Sequence, residues 1–371
     1  MTHEERIAAV RAGMAAEGLD VLVAIHDGAH FIETPNPVTV LSEFKSIGPT
    51  VVVVRPQGQR ILAVSPAWDA LRATDTCPPM KVIAADDVVE VVAMLLSAGE
   101  GGRAKAGIAG LSALPSALAK RLLEVIPNAR PADAVVFGAT AAKTTDEIAH
   151  AREATRIAEL GYQHLLDIVR PDMSEDELAV EVRWFTRSLG AEDNFLLLCA
   201  GPHNRAVAPS NGRKLQRGDI ILTEITPSWR GQLAQICRTI VLGPASEELA
   251  RKYDLVVRAM DEGIRAAVPG VPMSAVCRAI DQALEAAGYG AYCRPPHIRR
   301  RGHGLGFASN EPGDVALDNQ TMLAPGMVFM IHPNQYLPET GYLLCGEPVL
   351  MTEKGAEPLT ARKAALAEVR R

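Results

Sequence analysis

Two stretches of this chain repeat one another, and the spacing between them leaves few architectures open. "VRPDMSEDELAVEVRWFTRSLGA" (169–191) and "AVPGVPMSAVCRAIDQALEAAGYGA" (267–291) each pass from a proline turn through Met-Ser into an amphipathic helix and a glycine stop. Ser174 and Glu177 form a capping-box pattern in the first copy. A period of about 100 residues is a duplication, not a solenoid array. Two such halves, each a helix followed by strands, predict a pseudo-symmetric α+β domain with a cleft between them.

The region before the repeat has a different texture. A helix is expected over about 3–17, strands at "LDVLVAI", "PTVVVVRP", "QRILAVSP" and "KAGIAG", and helices at "DDVVEVVAMLLSAG" and "ALPSALAKRLLEVIP". This is a small α/β unit. The small-residue stretch "VFGATAAKTTDE" and the acidic helix start at Thr145 place a boundary near 137–143, giving domains 1–136 and 137–371.

Bulk composition excludes several function classes. Net charge is −6 and aromatics are 4%, so neither nucleic acid nor a membrane surface is an expected partner. Six cysteines lie scattered without a C-x-x-C pair, which reads as cytosolic thiols. The first residues carry charges of both signs and no signal-peptide core, and no run approaches the roughly 20 apolar residues of a bilayer span. A soluble, cytoplasmic protein with a small-molecule substrate is the expectation.

Five strand-rich blocks hold the polar residues of interest: "RGDIILTEITPSW" (217–229), "GQLAQICRTIVLG" (231–243), "RRRGHGLGFASNEPGD" (299–314), "GMVFMIHPNQY" (326–336) and "TGYLLCGEPVLMTEKGAEPLT" (340–360). In this order they resemble the pita-bread superfamily of creatinase, prolidase and methionine aminopeptidase. "GHGLG", "PGMVF" and "VLMTEKGAEPLT" make the likeness specific, and the first unit is similar to the creatinase and prolidase N-terminal domain. The resemblance implies a homodimer whose N-terminal loop, here "IHDGAHFIETPNPVTVLSEF" with His26, His30 and Phe31, helps complete the pocket.

The superfamily's metallopeptidases hold two metal ions with two aspartates, a histidine and two glutamates. By resemblance those positions fall here on Glu224, Gln235, His303, His332 and Gly346, and two further histidine positions fall on Val207 and Asn310. Gln235 is neutral and Gly346 has no side chain, so both bridging carboxylates are gone. Creatinase is the metal-free precedent, but its catalytic histidine position is Val207 and its glutamate positions are Cys237 and His332.

The residues then divide by chemistry. His332 and His303 suit acid–base work, with an ordinary pKa near ~6.5. Glu224, acidic within an apolar strand, requires a partner. Gln235 and Cys237 share a strand face, and Cys237 is a candidate nucleophile. Arg301 and Glu347 are candidates for a substrate carboxylate and a substrate cation, and Phe31 for the pocket wall. The leading expectation is a creatinase-like, metal-independent hydrolase of a C–N bond in a small carboxylated nitrogen compound, or a related lyase, with no cofactor. Two alternatives stand beside it. One is an enzyme holding one divalent transition metal through Glu224, His303 and His332. The other is a non-catalytic pseudo-peptidase that binds peptides or a partner protein.

Overall fold

The computed structural model describes the whole chain except residues 78, 98–103, 310 and 371. It divides into two units, Met1–Thr144 and Thr145–Arg371.

In the first unit the β-branched runs become the centre of a six-stranded sheet. Val21–His26 and Ile61–Val64 flank Thr50–Val54 as antiparallel neighbours, and Lys81–Ala84, Ala106–Ala109 and Arg130–Pro131 extend the sheet in parallel. Every residue of Val21–His26 and Thr50–Val54 is buried, as expected of strands covered on both faces. The helices Val88–Ser97 and Ser116–Val125 cover one face through Val88, Val92 and Leu122. Lys81–Ala84 escapes the sequence reading because it is a short edge strand, only half-buried and without alternation. His3–Ala16 opens on a full capping box between Thr2 and Glu5.

The second unit is a mixed α+β fold in two like halves. The first has Asp193–Gly201, Ile220–Trp229 and Ile236–Val241 in one antiparallel run, with Ala367–Glu368 added in parallel. Thr145–Ile168 and Glu175–Ser188 pack on it through Leu165, Leu178 and Val182 against Leu198 and Ile225. The second half has Gly302–Gly304, Val328–Ile331, Glu347–Thr352 and Gly355–Pro358, all antiparallel, with Glu247–Ala266 and Met273–Ala286. Gly263 lets those two helices close: a Cβ there would stand 2.7 Å from Ile280.

The duplication is visible in the backbone, with one adjustment of register. Ser174 bridges Lys214 in the first half as Pro272 bridges Met322 in the second. Met173 O and Val271 O likewise accept from Leu215 N and Leu323 N. Ser174 therefore corresponds to Pro272, and the Met-Ser pairs that match in sequence sit two residues out of step. In the first copy Ser174 is the N-cap, while Met273 and Ser274 already lie in the first turn of their helix.

His26 closes the central strand of the first unit and gives a test of its packing. Its Nδ1 accepts from Gly28 N at 3.0 Å, and its ring stacks on His30 at 5.0 Å. Burial first, then His30, pushes its pKa down to about 4 from the ordinary 6.5, opposed by Asp27. The unfolded chain then takes up this proton first, so the contribution is complete above pH ~6.5 and is lost as pH falls towards ~4. In urea unfolding, the stability gap between the native chain and His26→Gln is expected to narrow from pH 7 to pH 4. A constant gap would show that the ring stays neutral or is already protonated throughout.

Candidate active site

The polar centre of the second unit is built where its two halves meet. Glu224 stands on Ile220–Trp229 directly across from Cys237 on Ile236–Val241. Cys237 N in turn donates to Gly346 O at 3.3 Å, and Gly346 N to Cys237 O at 3.1 Å, so a short backbone bridge stitches one half to the other. The Glu224 carboxylate is buried and held by neutral donors: Gln235 Nε2 at 3.3 Å, Asn334 Nδ2 at 3.3 Å and Cys237 Sγ at 3.7 Å. Burial is the dominant influence and lifts its pKa to about 7.

His303, on Gly302–Gly304, and His332, one residue past the neighbouring antiparallel strand Val328–Ile331, meet with ring centroids 5.2 Å apart. The flanking glycines make this approach possible. Gly302 has φ +154, and a Cβ there would fall 1.9 Å from Met330 O, while one at Gly304 would fall 2.3 Å from the Glu311 carbonyl. His303 Nδ1 lies 2.9 Å from Gly304 O, an acceptor only, so Nδ1 carries the proton and Nε2 the lone pair. Burial holds His303 down to about 4 and His332 well below its ordinary value, so both rings are neutral imidazoles at pH 7. His332 Nδ1 is buried with no hydrogen-bond partner among the described residues, and so is Gln235 Oε1.

The remaining candidates have other duties. Arg301 is buried, donates from Nε to Asp281 Oδ1 at 2.7 Å and from Nη1 to Pro333 O at 2.5 Å and Gln335 Oε1 at 3.0 Å. It braces the turn after His332, and its Nη2 is buried with no hydrogen-bond partner among the described residues. Glu347 pairs with Arg238 at 3.0 Å and accepts from Thr360 Oγ1 and Ala364 N, which fastens the C-terminal segment. Burial drives the Cys237 thiol well above its ordinary pKa, the reverse of what a nucleophile needs. Phe31 lies in the first unit and is exposed. Val207 is half-buried in a loop of the second unit, and Asn310 lies outside the described residues. Sequence reasoning missed Asn334, whose Nδ2 holds Glu224 and whose Oδ1 accepts from Cys345 N at 3.1 Å. Its signal was an amide two residues beyond His332.

The profile of metallopeptidase family M24 matches residues 149–353, more than half of the chain. The chain belongs to this family. It is 28% identical over 221 residues to the Xaa-Pro dipeptidase of Pyrococcus furiosus and, over the same length, to an uncharacterized peptidase of Bacillus subtilis. Each match covers 59% of this chain and 62% of the curated relative. The fold extends further. An Xaa-Pro dipeptidase from Bacillus anthracis superposes with a TM-score of 0.86 at 22% identity, covering 99% of this chain and 100% of that one. A prolidase from Pyrococcus horikoshii superposes with 0.84 at 21%, covering 97% and 99%.

Membership in a metallopeptidase family overturns the leading expectation of a creatinase-like, metal-independent C–N hydrolase, and with it the expectation of no cofactor. The question becomes which metal centre these residues fit. By resemblance the bridging positions are Gln235 and Gly346, which supply no carboxylate for two ions, and among the described residues no three His, Cys, Asp or Glu side chains, Glu224, His303 and His332 included, form a ready metal-holding group. The second unit offers two neutral imidazoles that meet each other and, from its other half, one carboxylate and an amide oxygen, and two of those groups, His332 Nδ1 and Gln235 Oε1, have no partner among the described residues.

Gly346 shows why the second centre cannot simply be rebuilt. A Cβ there would stand 2.5 Å from Met330 Cε and 2.6 Å from His332 Cβ. His332 and the bare position are one arrangement. Gly346→Ala is therefore expected to lower stability by about 1–3 kcal/mol in chemical denaturation. An unchanged midpoint would mean the 332–346 contact yields freely.

Proposed function

We propose that this chain is a hydrolase of the peptidase type that works with one divalent cation and acts on short peptides, the Xaa-Pro dipeptides named for its relatives first among them. One observation carries the reading: two neutral, buried imidazoles stand together in a metallopeptidase fold, and one of them has a buried nitrogen with no partner among the described residues. Glu224, His303 and His332 would hold the ion, with Gln235 Oε1 beside them.

Bound there, the cation supplies Lewis acidity towards a peptide carbonyl. The rest is the work of the chain. Gly304 O fixes the His303 tautomer, leaving Nε2 as the lone-pair nitrogen. Asn334 and Gln235 orient the Glu224 carboxylate from two sides. Arg301, anchored by Asp281, donates to the Pro333 and Asn334 carbonyls and so holds the position of His332. We further assign the protein to the cytoplasm, a reading supported by six cysteines that are all free and buried, and read it as a homodimer by resemblance to its superfamily. Among the described residues no helix is long and apolar enough to cross a membrane.

Metal content of untagged protein prepared without chelator tests this directly. About one equivalent of a transition metal is expected, together with hydrolysis of Xaa-Pro dipeptides. His332→Ala and Glu224→Gln should each weaken metal affinity by more than ~10-fold in calorimetric titration. Two equivalents would refute the single-ion reading. Protein that neither retains nor takes up metal, yet binds dipeptides without cleaving them, would make the cleft a peptide-binding site.

A further inference from the structure

The strand that carries Glu224 has more polar groups on that face than one ion would use. Alternation sends Ile221 and Ile225 into the core beneath the helices and turns Glu224, Thr226 and Ser228 the other way, towards the second half. All three are buried. The returning chain keeps one register, with Ser228 opposite Leu233 and Ile225 opposite Ile236, so Gln235 falls directly across from Thr226. Cross-strand partners of this kind share a face and stand ~5 Å apart.

Beyond Glu224, this face holds a row of buried polar atoms with no hydrogen-bond partner among the described residues: Thr226 Oγ1, Ser228 Oγ and Gln235 Oε1. The duplication supplies a control. Leu215 matches Leu323, and Gly218 matches Gly326, at φ +89 and +88. In the same step Glu224 matches His332 and Thr226 matches Asn334. Asn334 uses both ends of its amide, Nδ2 towards Glu224 and Oδ1 towards Cys345 N. The fold can therefore satisfy a polar side chain at this place, and in the first half it leaves the hydroxyl unmet.

The chemistry of the row defines what it can hold. Gln235 donates its Nε2 to Glu224 and keeps an acceptor, while the two hydroxyls can donate or accept. None of the three carries charge. An ionised group brought here would lack a partner of its own, and an apolar one would take water from the hydroxyls and return no hydrogen bond. An uncharged hydroxyl or amide meets them all. In an Xaa-Pro dipeptide the proline ring has no polar group, so only the Xaa side chain can make these bonds. Resting on the peptidase reading above, we propose that Thr226, Ser228 and Gln235 form a subsite for the side chain ahead of the scissile bond, selecting serine, threonine, asparagine or glutamine there over apolar residues of the same size.

Isosteric dipeptides test the subsite, because Thr-Pro and Val-Pro, like Asn-Pro and Leu-Pro, match in shape and differ in hydrogen bonding. The native enzyme is expected to favour the polar member of each pair by at least ~10-fold in kcat/KM. Thr226→Val combined with Ser228→Ala should bring Thr-Pro down to Val-Pro or below it. Each ratio is taken within one preparation, so a loss of folded enzyme lowers both rates and leaves the ratio untouched. Equal native rates within the pairs, or a native preference that the double variant keeps, would overturn the subsite. A double variant that slows all four dipeptides alike would place the row against the α-amino group and overturn it as well. If none of the four is cleaved, the peptidase reading falls, and calorimetric titration of the same dipeptides into the protein decides the subsite by itself. Tighter binding of Thr-Pro than Val-Pro, lost in the double variant, upholds it, and equal affinities end it.

Discussion

A carboxylate buried in the middle of a strand sets the terms for everything around it. Glu224 cannot sit among Ile221, Leu222 and Ile225 unless its oxygens are met, because an unmet buried acid is costly. The donors come from three places: Gln235 before the next strand, Cys237 on it, and Asn334 from the other half of the duplication. Asn334 is itself fixed by Cys345 N, and Cys237 is bridged to Gly346. The same few bonds therefore satisfy the acid, orient the cleft and join the halves. Leaving one such buried group unmet costs about 1–3 kcal/mol, so the site and the seam stand or fall together.

The second half answers with a similar economy. His332 takes its backbone bond from Arg301 O at 2.8 Å, and the Arg301 guanidinium reaches forward to Pro333 and Gln335. Asp281, on the helix Met273–Ala286, anchors that guanidinium. The ring is thus located by a helix of its own half, not by the loop alone. Arg238 and Glu347 make a comparable buried pair, reinforced by Gly346 O, Thr360 and Ala364. Such pairs hold geometry more than they add stability, because desolvating both charges offsets most of their attraction.

Much of this was legible in the chain. Alternation and apolar runs marked the strands, the duplication marked the halves, and Gly302, His303 and Gly304 marked a close approach that the backbone confirms. What spacing could not show was which distant group would claim each charge. Arg301 looked free for a ligand until Asp281, twenty residues away, met it, and Glu347 until Arg238 did, 109 residues away. Asn334 went unmarked because its partner Glu224 lies 110 residues back. The cofactor reading failed for a different reason. From Gln235 and Gly346 it inferred that no metal binds, when those residues bear only on whether two can.

The distinction is electrostatic. Two divalent cations held about 4 Å apart repel by roughly 17 kcal/mol even at an effective dielectric constant of 20. Bridging carboxylates exist to offset that repulsion, and this cleft has an amide and a glycine where they would stand. One divalent ion faces no such penalty. A single carboxylate, Glu224, offers it charge, and two imidazoles kept neutral by burial offer it lone pairs without adding positive charge. Neutral ligands and a lone acid are a poor cradle for a net charge of four and a reasonable one for two. On the single-ion reading proposed above, the residues at 235, 332 and 346 change the number of ions the fold would carry and leave the chemistry that one ion requires.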